Sequence, residues 1–245
     1  MRQVTYTIES NGSLTGGVYR ATLRGDTSAI TRPGQFVNIA LDGLFLRRPI
    51  SVCDWDEDGL TLIYKVVGRG TEQLSRMAPG QTLDALSGLG NGYDIAACPD
   101  NPVLAGGGVG VPPLYGLAKR MLAAGKKPTV VLGFNTAAEI FYDMQFAALG
   151  VAVSVATVDG TAGVKGFVTA LIPEGAYVCA CGPEPMLKAV FNALDCPGQL
   201  SFEARMGCGF GACMGCSCQT ISGPKRICKE GPVMRYDDII WQHVQ

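Results

Sequence analysis

The chain is expected to fold as an N-terminal antiparallel β-barrel, a parallel-sheet α/β unit and a small cysteine-rich C-terminal piece, an α/β plus β architecture. Three observations carry that expectation. Residues 1–97 hold many short β-branched or alternating runs separated by Gly, Asp, Asn and Pro. Residues 98–200 alternate apolar strands with helical stretches, and residues 201–245 are dense in Cys and Gly with few apolar positions. Short strands with few helical patterns close into small barrels. Strand–helix alternation builds βαβ units on a parallel sheet. A piece as short as the last one, with so little to bury, needs a metal to hold it.

Taken in order, the first segment predicts strands at Val4–Ile8, Val18–Leu23, Gln35–Leu41 and Leu60–Val67, with a short helix at Glu72–Met77 that Pro79-Gly80 ends. The second predicts strands at Val103–Ala105, Thr129–Phe134, Val151–Val158 and Ala176–Ala180. Helices are expected at Leu114–Ala124, Glu139–Leu149 and Met186–Leu194. No internal repeat interrupts this progression.

Composition excludes several roles. Hydrophobic residues are 47% and charged residues 17% of the 245, as in a globular protein with a well-filled core. A net charge of −1 without basic runs argues against nucleic acid or an anionic membrane as partner. The N-terminus lacks the apolar core of a secretory signal, and no run of about 18 apolar residues could span a bilayer. A cytoplasmic location is therefore expected. The single histidine, His243, removes His-based zinc chemistry and Ser-His-Asp or Cys-His catalysis, and beside Trp241 it reads as an ordinary terminal residue.

Ten cysteines without an export signal call for metal ligation rather than a disulfide framework. Met206 to Cys216 presents C-x4-C-x2-C through Cys208, Cys213 and Cys216, and Cys228 follows. That is the spacing of plant-type [2Fe–2S] sites, whose fourth ligand comes from a separate segment. Gly207, Gly209, Gly211 and Gly215 permit positive φ and close backbone approach, so amides can turn toward anionic sulfur. The competing assignment is a four-cysteine zinc site, but such sites pair two short knuckles, whereas here three ligands share one loop. Cys218, in C-x-C with Cys216, rivals Cys228 for the fourth position. Cys228 is expected, because a ligand from another segment closes the cage.

Two groups in the barrel suggest a flavin. Arg48-Pro49-Ile50-Ser51 closes a hairpin region where a guanidinium could clamp a pyrophosphate and a hydroxyl could reach a flavin edge. Ile63-Tyr64-Lys65 leads through Gly68 into Gly70-Thr71 at a helix N-terminus, a place for phosphate. Two groups in the α/β unit suggest a nicotinamide nucleotide. Gly106, Gly107, Gly108 and Gly110 lie between a strand and a helix starting near Pro112, although G-x-G-x-x-G with a downstream acid is absent; a packing turn and a nucleotide turn both remain open. Cys181-Gly182-Pro183 ends another strand, where Cys181 could line the hydride path, while Cys179 reads as a buried thiol.

Together these motifs resemble the ferredoxin reductase-like flavoproteins, and among them the electron transfer subunits of type B dihydroorotate dehydrogenases. The resemblance spans essentially the whole chain: Arg48-Pro49-Ile50-Ser51, Gly70-Thr71, Gly106–Leu114, Cys181-Gly182-Pro183 and the terminal cysteines with Arg226–Val233. It implies FAD contacts from Arg48, Pro49, Ile50, Ser51, Ile63, Tyr64, Lys65, Gly70 and Thr71, and cluster ligation by Cys208, Cys213, Cys216 and Cys228. It implies an FAD domain at 1–97, an NAD domain at 98–200 and a cluster domain at 201–245. Two departures stand out: Ile50 replaces the aromatic residue common in the wider superfamily, and Ser87–Gly92 lacks an expected proline.

The implied partner is the FMN-containing catalytic subunit, in an α2β2 heterotetramer. Electrons from dihydroorotate oxidation would cross the cluster and FAD to NAD⁺. NAD is expected over NADP, because Gly133–Ala138 offers no arginine for a 2′-phosphate. An alternative keeps the cofactors and makes the chain a reductase subunit of a hydrogenase or ferredoxin-dependent complex.

Overall fold

The computed structural model describes residues 1–193 and 197–241. Six strands close a barrel in the order β1-β2-β5-β4-β3-β6: β1 (Arg2–Thr15), β2 (Val18–Arg24), β3 (Phe36–Ile39), β4 (Arg48–Trp55), β5 (Gly59–Lys65) and β6 (Thr82–Leu89). All its pairings are antiparallel. Val4, Tyr6, Ile8, Ala21, Leu23, Val37, Ile39, Leu62 and Tyr64 fill the interior, as the alternation of inward apolar and outward polar residues requires. Helix α1 (Arg69–Ser75) lies between β5 and β6.

A seven-stranded sheet follows, in the order β10-β9-β8-β7-β11-β12-β15. Its parallel strands are β7 (Val103–Gly107), β8 (Thr129–Phe134), β9 (Ala152–Thr157), β10 (Val164–Lys165), β11 (Val178–Cys181) and β12 (Gly198–Ser201). Three helices accompany them: α2 (Val111–Ala123), α3 (Asp143–Ala148) and α4 (Glu184–Ala193). The C-terminal segment holds a hairpin of β13 (Ser217–Thr220) and β14 (Gly223–Arg226), then β15 (Val233–Arg235), which runs antiparallel to β12 at the sheet edge.

Several elements depart from expectation. Arg48–Ser51 is the first half of a full strand rather than a hairpin end, and β6 carries no strand signal strong enough to read, since Gly88 and the polar residues of TLDALSGL dilute it. The helix expected over Glu139–Leu149 is a 3-10 turn at Ala137–Glu139 and a short α3. Between them Tyr142 takes φ 67°, which interrupts any continuous helix. Leu194 and His243 lie outside the described residues. As its composition suggested, the last segment has no core of its own: Cys216, Cys218, Ile227, Cys228, Val233 and Met234 are buried, mostly in one cluster with Val103, Ala105, Val178 and Leu200 of the α/β sheet.

Barrel and sheet are joined firmly. Gly116 of α2 faces β4 so closely that a Cβ there would lie 2.6 Å from the Cys53 carbonyl oxygen. Arg120 of α2 stacks on Trp55, with its guanidinium carbon 3.2 Å from the ring centroid, donates to the Trp55 carbonyl at 3.1 Å, and pairs with Asp54 at 3.2 Å. Lys119 pairs with the same carboxylate. Among the described residues no helix is long and apolar enough to cross a membrane.

Candidate functional site

The cysteine loop is organised by its own amides. Ala212 and Cys213 donate main-chain N–H groups to the Cys208 sulfur at 3.2 and 3.4 Å, and Cys208 donates its own to the Cys213 sulfur at 3.4 Å. A separate contact, Cys228 N–H to the Cys216 sulfur at 3.4 Å, joins the loop to the fourth cysteine. Gly209 and Gly211, at φ 78° and 93°, supply the left-handed turns that let these amides point inward. The sulfurs thus fall into two pairs, Cys208 with Cys213 and Cys216 with Cys228. Among the described residues no three metal-binding side chains converge to hold a single ion.

The electrostatics follow the same division. Burial raises the Cys208 thiol, but donation from the amides of Cys213, Phe210 and Ala212 and from the Cys213 side chain outweighs it, bringing its pKa to about 6. Cys228 is pushed up to about 12, first by burial and then by its hydrogen bond and charge interaction with Cys216. Cys218 is not part of either pair. It sits on β13 opposite Lys225, buried with Ile227 and Cys228, and burial raises its pKa. Two thiol pairs with amides aimed at sulfur are a donor set suited to two irons, each of which takes two thiolates.

The loop is pinned from two sides. Arg226 donates to the Gly211 carbonyl at 2.6 Å while its Nε and main-chain N–H both reach the Glu230 carboxylate at 2.9 Å. This contact with Arg226, working against burial, holds Glu230 at about 2. From the barrel, Asn38 of β3 donates its side-chain amide to the Cys208 carbonyl at 3.1 Å, and a Cβ on Gly209 would lie 2.3 Å from the same nitrogen. Asn38 is 1% exposed, and its Oδ1 is a buried atom without a hydrogen-bond partner.

In the β3–β4 register Asn38 lies opposite Pro49, Ile39 opposite Arg48, Val37 opposite Ile50 and Phe36 opposite Ser51. The whole Arg48-Pro49-Ile50-Ser51 quartet is half-buried, on the strand next to the one that touches the cysteine loop. The second barrel motif meets the first through space. A Cβ on Gly70 would lie 2.2 Å from Arg48 Nε, so the Arg48 side chain lies against the first turn of α1. Thr71 is committed to that turn: its hydroxyl accepts from the Val67 and Gly68 amides and donates to the Gly68 carbonyl. Ile63 and Tyr64 turn their side chains into the cores, with the Tyr64 hydroxyl donating to Asn11 Oδ1 at 2.9 Å, so only their main chain is open to a ligand. Lys65 is exposed.

The two α/β motifs also meet. Gly110 packs against the β11 turn so tightly that a Cβ would lie 2.3 Å from the Cys181 carbonyl oxygen. Gly107 and Gly182 share Met186 as neighbour, at 2.4 and 2.7 Å from the Cβ positions, and Gly106 is filled by Val111 and Leu114. Three of the four glycines in the run therefore serve close packing. Gly108, at φ 49° with nothing within 4 Å of a Cβ, is the open one, and it sits just before α2. Cys181 ends β11 beside Gly106 and Ser201, and burial pushes its thiol up to about 12. It is a neutral thiol, so it supplies neither acid nor base near neutral pH.

Asn38 and Asn91 were not singled out by the sequence. Asn38 stands inside an ordinary strand run. Asn91 lies in the loop that lacks the expected proline, and its side chain donates to the Glu230 and Val233 carbonyls at 2.8 and 2.7 Å and accepts from the Val233 amide at 3.1 Å. The loop thereby ties the barrel to the segment carrying Cys228.

Comparison with known proteins agrees with this geometry. The model for the iron–sulfur cluster binding domain of dihydroorotate dehydrogenase B matches residues 203–240. The electron transfer subunit of NAD(+)-dependent dihydroorotate dehydrogenase B from Bacillus pumilus is 40% identical over 255 residues, covering 98% of each chain. Its counterpart from Fusobacterium nucleatum is 41% identical over 95% of this chain and 96% of that one. Among solved structures, an NADH-dependent reduced ferredoxin-NADP oxidoreductase is 30% identical with a TM-score of 0.88, over 97% of this chain and 90% of that one. This chain belongs to the family of electron transfer subunits of NAD(+)-dependent dihydroorotate dehydrogenase B.

Proposed function

We propose that the chain takes electrons from an FMN-containing dihydroorotate-oxidising catalytic subunit and delivers them to NAD⁺. The observation that carries this reading is the Asn38–Cys208 contact, which joins the cysteine loop to the strand paired with Arg48–Ser51. A [2Fe–2S] cluster passes single electrons, a nicotinamide takes a hydride, and FAD exchanges both, so FAD belongs between them.

The chain's own residues divide the work. Cys208 and Cys213 would hold one iron, and Cys216 and Cys228 the other. Arg48 would meet the flavin pyrophosphate with Gly70 and Thr71, while Pro49, Ile50 and Ser51 and the main chain of Ile63, Tyr64 and Lys65 would border the ring system. Gly108 would admit the nicotinamide nucleotide's phosphates at the start of α2, with Gly106, Gly107 and Gly110 shaping that turn. Cys181, Gly182 and Pro183 would wall the nicotinamide side, Cys181 as a small neutral thiol. NAD would be used over NADP, and the complex would be an α2β2 heterotetramer in the cytoplasm.

The test is anaerobic purification with the catalytic subunit, followed by iron, flavin and mass analysis. About two irons and one FAD per chain, and reduction by NADH faster than by NADPH, support the reading. Zinc in place of iron, or an NADPH preference, overturns the corresponding part. Cys213→Ala should stop electron passage to the partner while sparing NADH reduction of FAD.

One observation favours a second partner. The likeness to the ferredoxin-NADP oxidoreductase extends over nearly the whole chain, and the same cofactor order would serve a ferredoxin-dependent or hydrogenase complex. Co-purification with the dihydroorotate-oxidising subunit or with such a complex separates the two.

A further inference from the structure

Outside the electron route, two buried thiols face one another. The Cys98 and Cys179 sulfurs are 3.7 Å apart, both below a twentieth of full exposure, and neither belongs to the cysteine loop. Cys98 lies in the linker between the barrel and β7, while Cys179 is the second residue of β11, two positions before Cys181.

We propose that Cys98 and Cys179 form a dithiol site that peroxide-class oxidants convert to a disulfide, tying the interdomain linker to β11. Closing from 3.7 Å to the bond length of about 2.05 Å asks the sulfurs to approach by about 1.7 Å. The surroundings are polar enough to support the chemistry. The Gln199 side-chain nitrogen lies 2.9 Å from both the Asp94 carbonyl and the Tyr177 hydroxyl oxygen and 3.4 Å from the Cys98 sulfur, its two N–H shared among them, and its carbonyl accepts from the Asp94 amide at 2.8 Å. The linker is thereby already stitched to β12, so the bond would reinforce an existing register rather than drag distant segments together.

Access exists on the Cys98 side. A surface pocket of about 580 Å³ is lined by Ala97, Cys98, Pro99, Asn101, Gly175 and Tyr177, so a small local opening of the linker would bring a molecule the size of hydrogen peroxide to the buried Cys98 sulfur. The two thiols are also unequal. The hydrogen bond from Cys179, opposed by burial and aided by Tyr177 and the Lys126 charge, holds Cys98 below the usual thiol range. That same hydrogen bond, with burial, holds Cys179 well above it. Cys98, the residue that lines the pocket, is the attacking sulfur, and the fully buried Cys179 the resolving one.

The step balances. The Cys98 sulfur attacks one peroxide oxygen, the O–O bond breaks, and hydroxide leaves and is protonated to water, giving a sulfenic acid. The Cys179 sulfur then displaces the sulfenic oxygen, which departs as a second water. Two thiols lose two protons and two electrons in total, and the peroxide is reduced to two waters.

The test uses the cofactor-loaded chain, treated with graded hydrogen peroxide, quenched, alkylated under denaturing conditions and digested without reductant. A cross-linked peptide joining Cys98 to Cys179, formed before overoxidation and lost on adding dithiothreitol, is the expected result. Cys98→Ser and Cys179→Ser should each abolish it. Both thiols remaining alkylatable at doses that already bleach the cluster would overturn the proposal. So would a sulfinic acid at Cys98 without any cross-link. Because the decisive map is made on the unmodified chain, the result stands even if a serine variant does not fold.

Discussion

Asn38 and Cys208 stand 170 positions apart in the chain and are joined by one hydrogen bond of 3.1 Å, from a buried strand amide to a main-chain carbonyl of the cysteine loop. Through it, the barrel positions the loop. Asn38→Leu keeps the volume but removes the donor, at a cost of about 1 kcal/mol for an ordinary buried hydrogen bond. Asn38→Asp places an acceptor against an acceptor and should cost more. Both variants should lower iron retained per chain and slow electron passage beyond the flavin, leaving NADH reduction of FAD intact. Unchanged iron content and unchanged transfer in both would show that the contact positions nothing.

Gly70 and Arg48 make a second prediction. Any β-carbon at position 70 meets the guanidinium stem at 2.2 Å. Gly70→Ala should push Arg48 off the α1 turn and weaken FAD binding several-fold, with little loss of stability, because the displaced atoms end a flexible side chain. Fluorescence titration of the flavin-free chain with FAD reads this directly.

The glycine run separates packing from openness. Gly110→Ala drives a methyl group into the rigid Cys181 carbonyl and should destabilise strongly, by roughly 1–3 kcal/mol or more as an overpacked core site does. Gly108→Ala meets no atoms and carries only the left-handed backbone penalty of about 1 kcal/mol. Urea denaturation of the two variants should rank them in that order, and the reverse order would refute the assignment of roles.

A pH dependence follows from Glu230. Its folded-state pKa is depressed to about 2 by Arg226, working against burial, whereas an unfolded chain holds a glutamate near about 4.3. A depressed carboxylate contributes stability that is complete above the unfolded value and lost as pH falls through the folded one. The C-terminal segment should therefore loosen between about pH 5 and pH 2. Glu230→Gln should flatten that part of the profile, which chemical denaturation at several pH values would record.

The barrel–sheet junction offers a stability test. Asp54 faces Lys119 and Arg120 together, with Arg120 stacked on Trp55. Asp54→Ala leaves a half-buried guanidinium without its carboxylate and should cost about 1–3 kcal/mol. Lys119→Ala, at the more exposed cation, should cost under about 1 kcal/mol.

What could be read from the sequence was local in origin. Barrel strands β1, β2, β3 and β5, the βαβ alternation and the C-x4-C-x2-C spacing depend on side-chain period and on neighbours within a few positions. The same is true of the helix start at Gly70-Thr71 and the dependence of the last segment on outside support. The 3-10 turn before α3 escaped detection because one residue, Tyr142, adopts a positive φ that no pattern of apolar positions encodes.

What the chain alone could not reveal depends on contacts between distant segments. The apolar pattern made Gly106, Gly107, Gly108 and Gly110 look alike; only the approach of Met186 and Cys181 distinguishes three packing positions from one open one. Nothing near Asn38 in sequence marks it, because its partner arrives from the far end of the chain. Spacing specified which cysteines gather in the loop, since ligand separation is a property of a short backbone. Where that loop is held relative to β4 was decided by hydrogen bonds from Asn38 and Asn91, which exist only once the barrel and the tail have packed together.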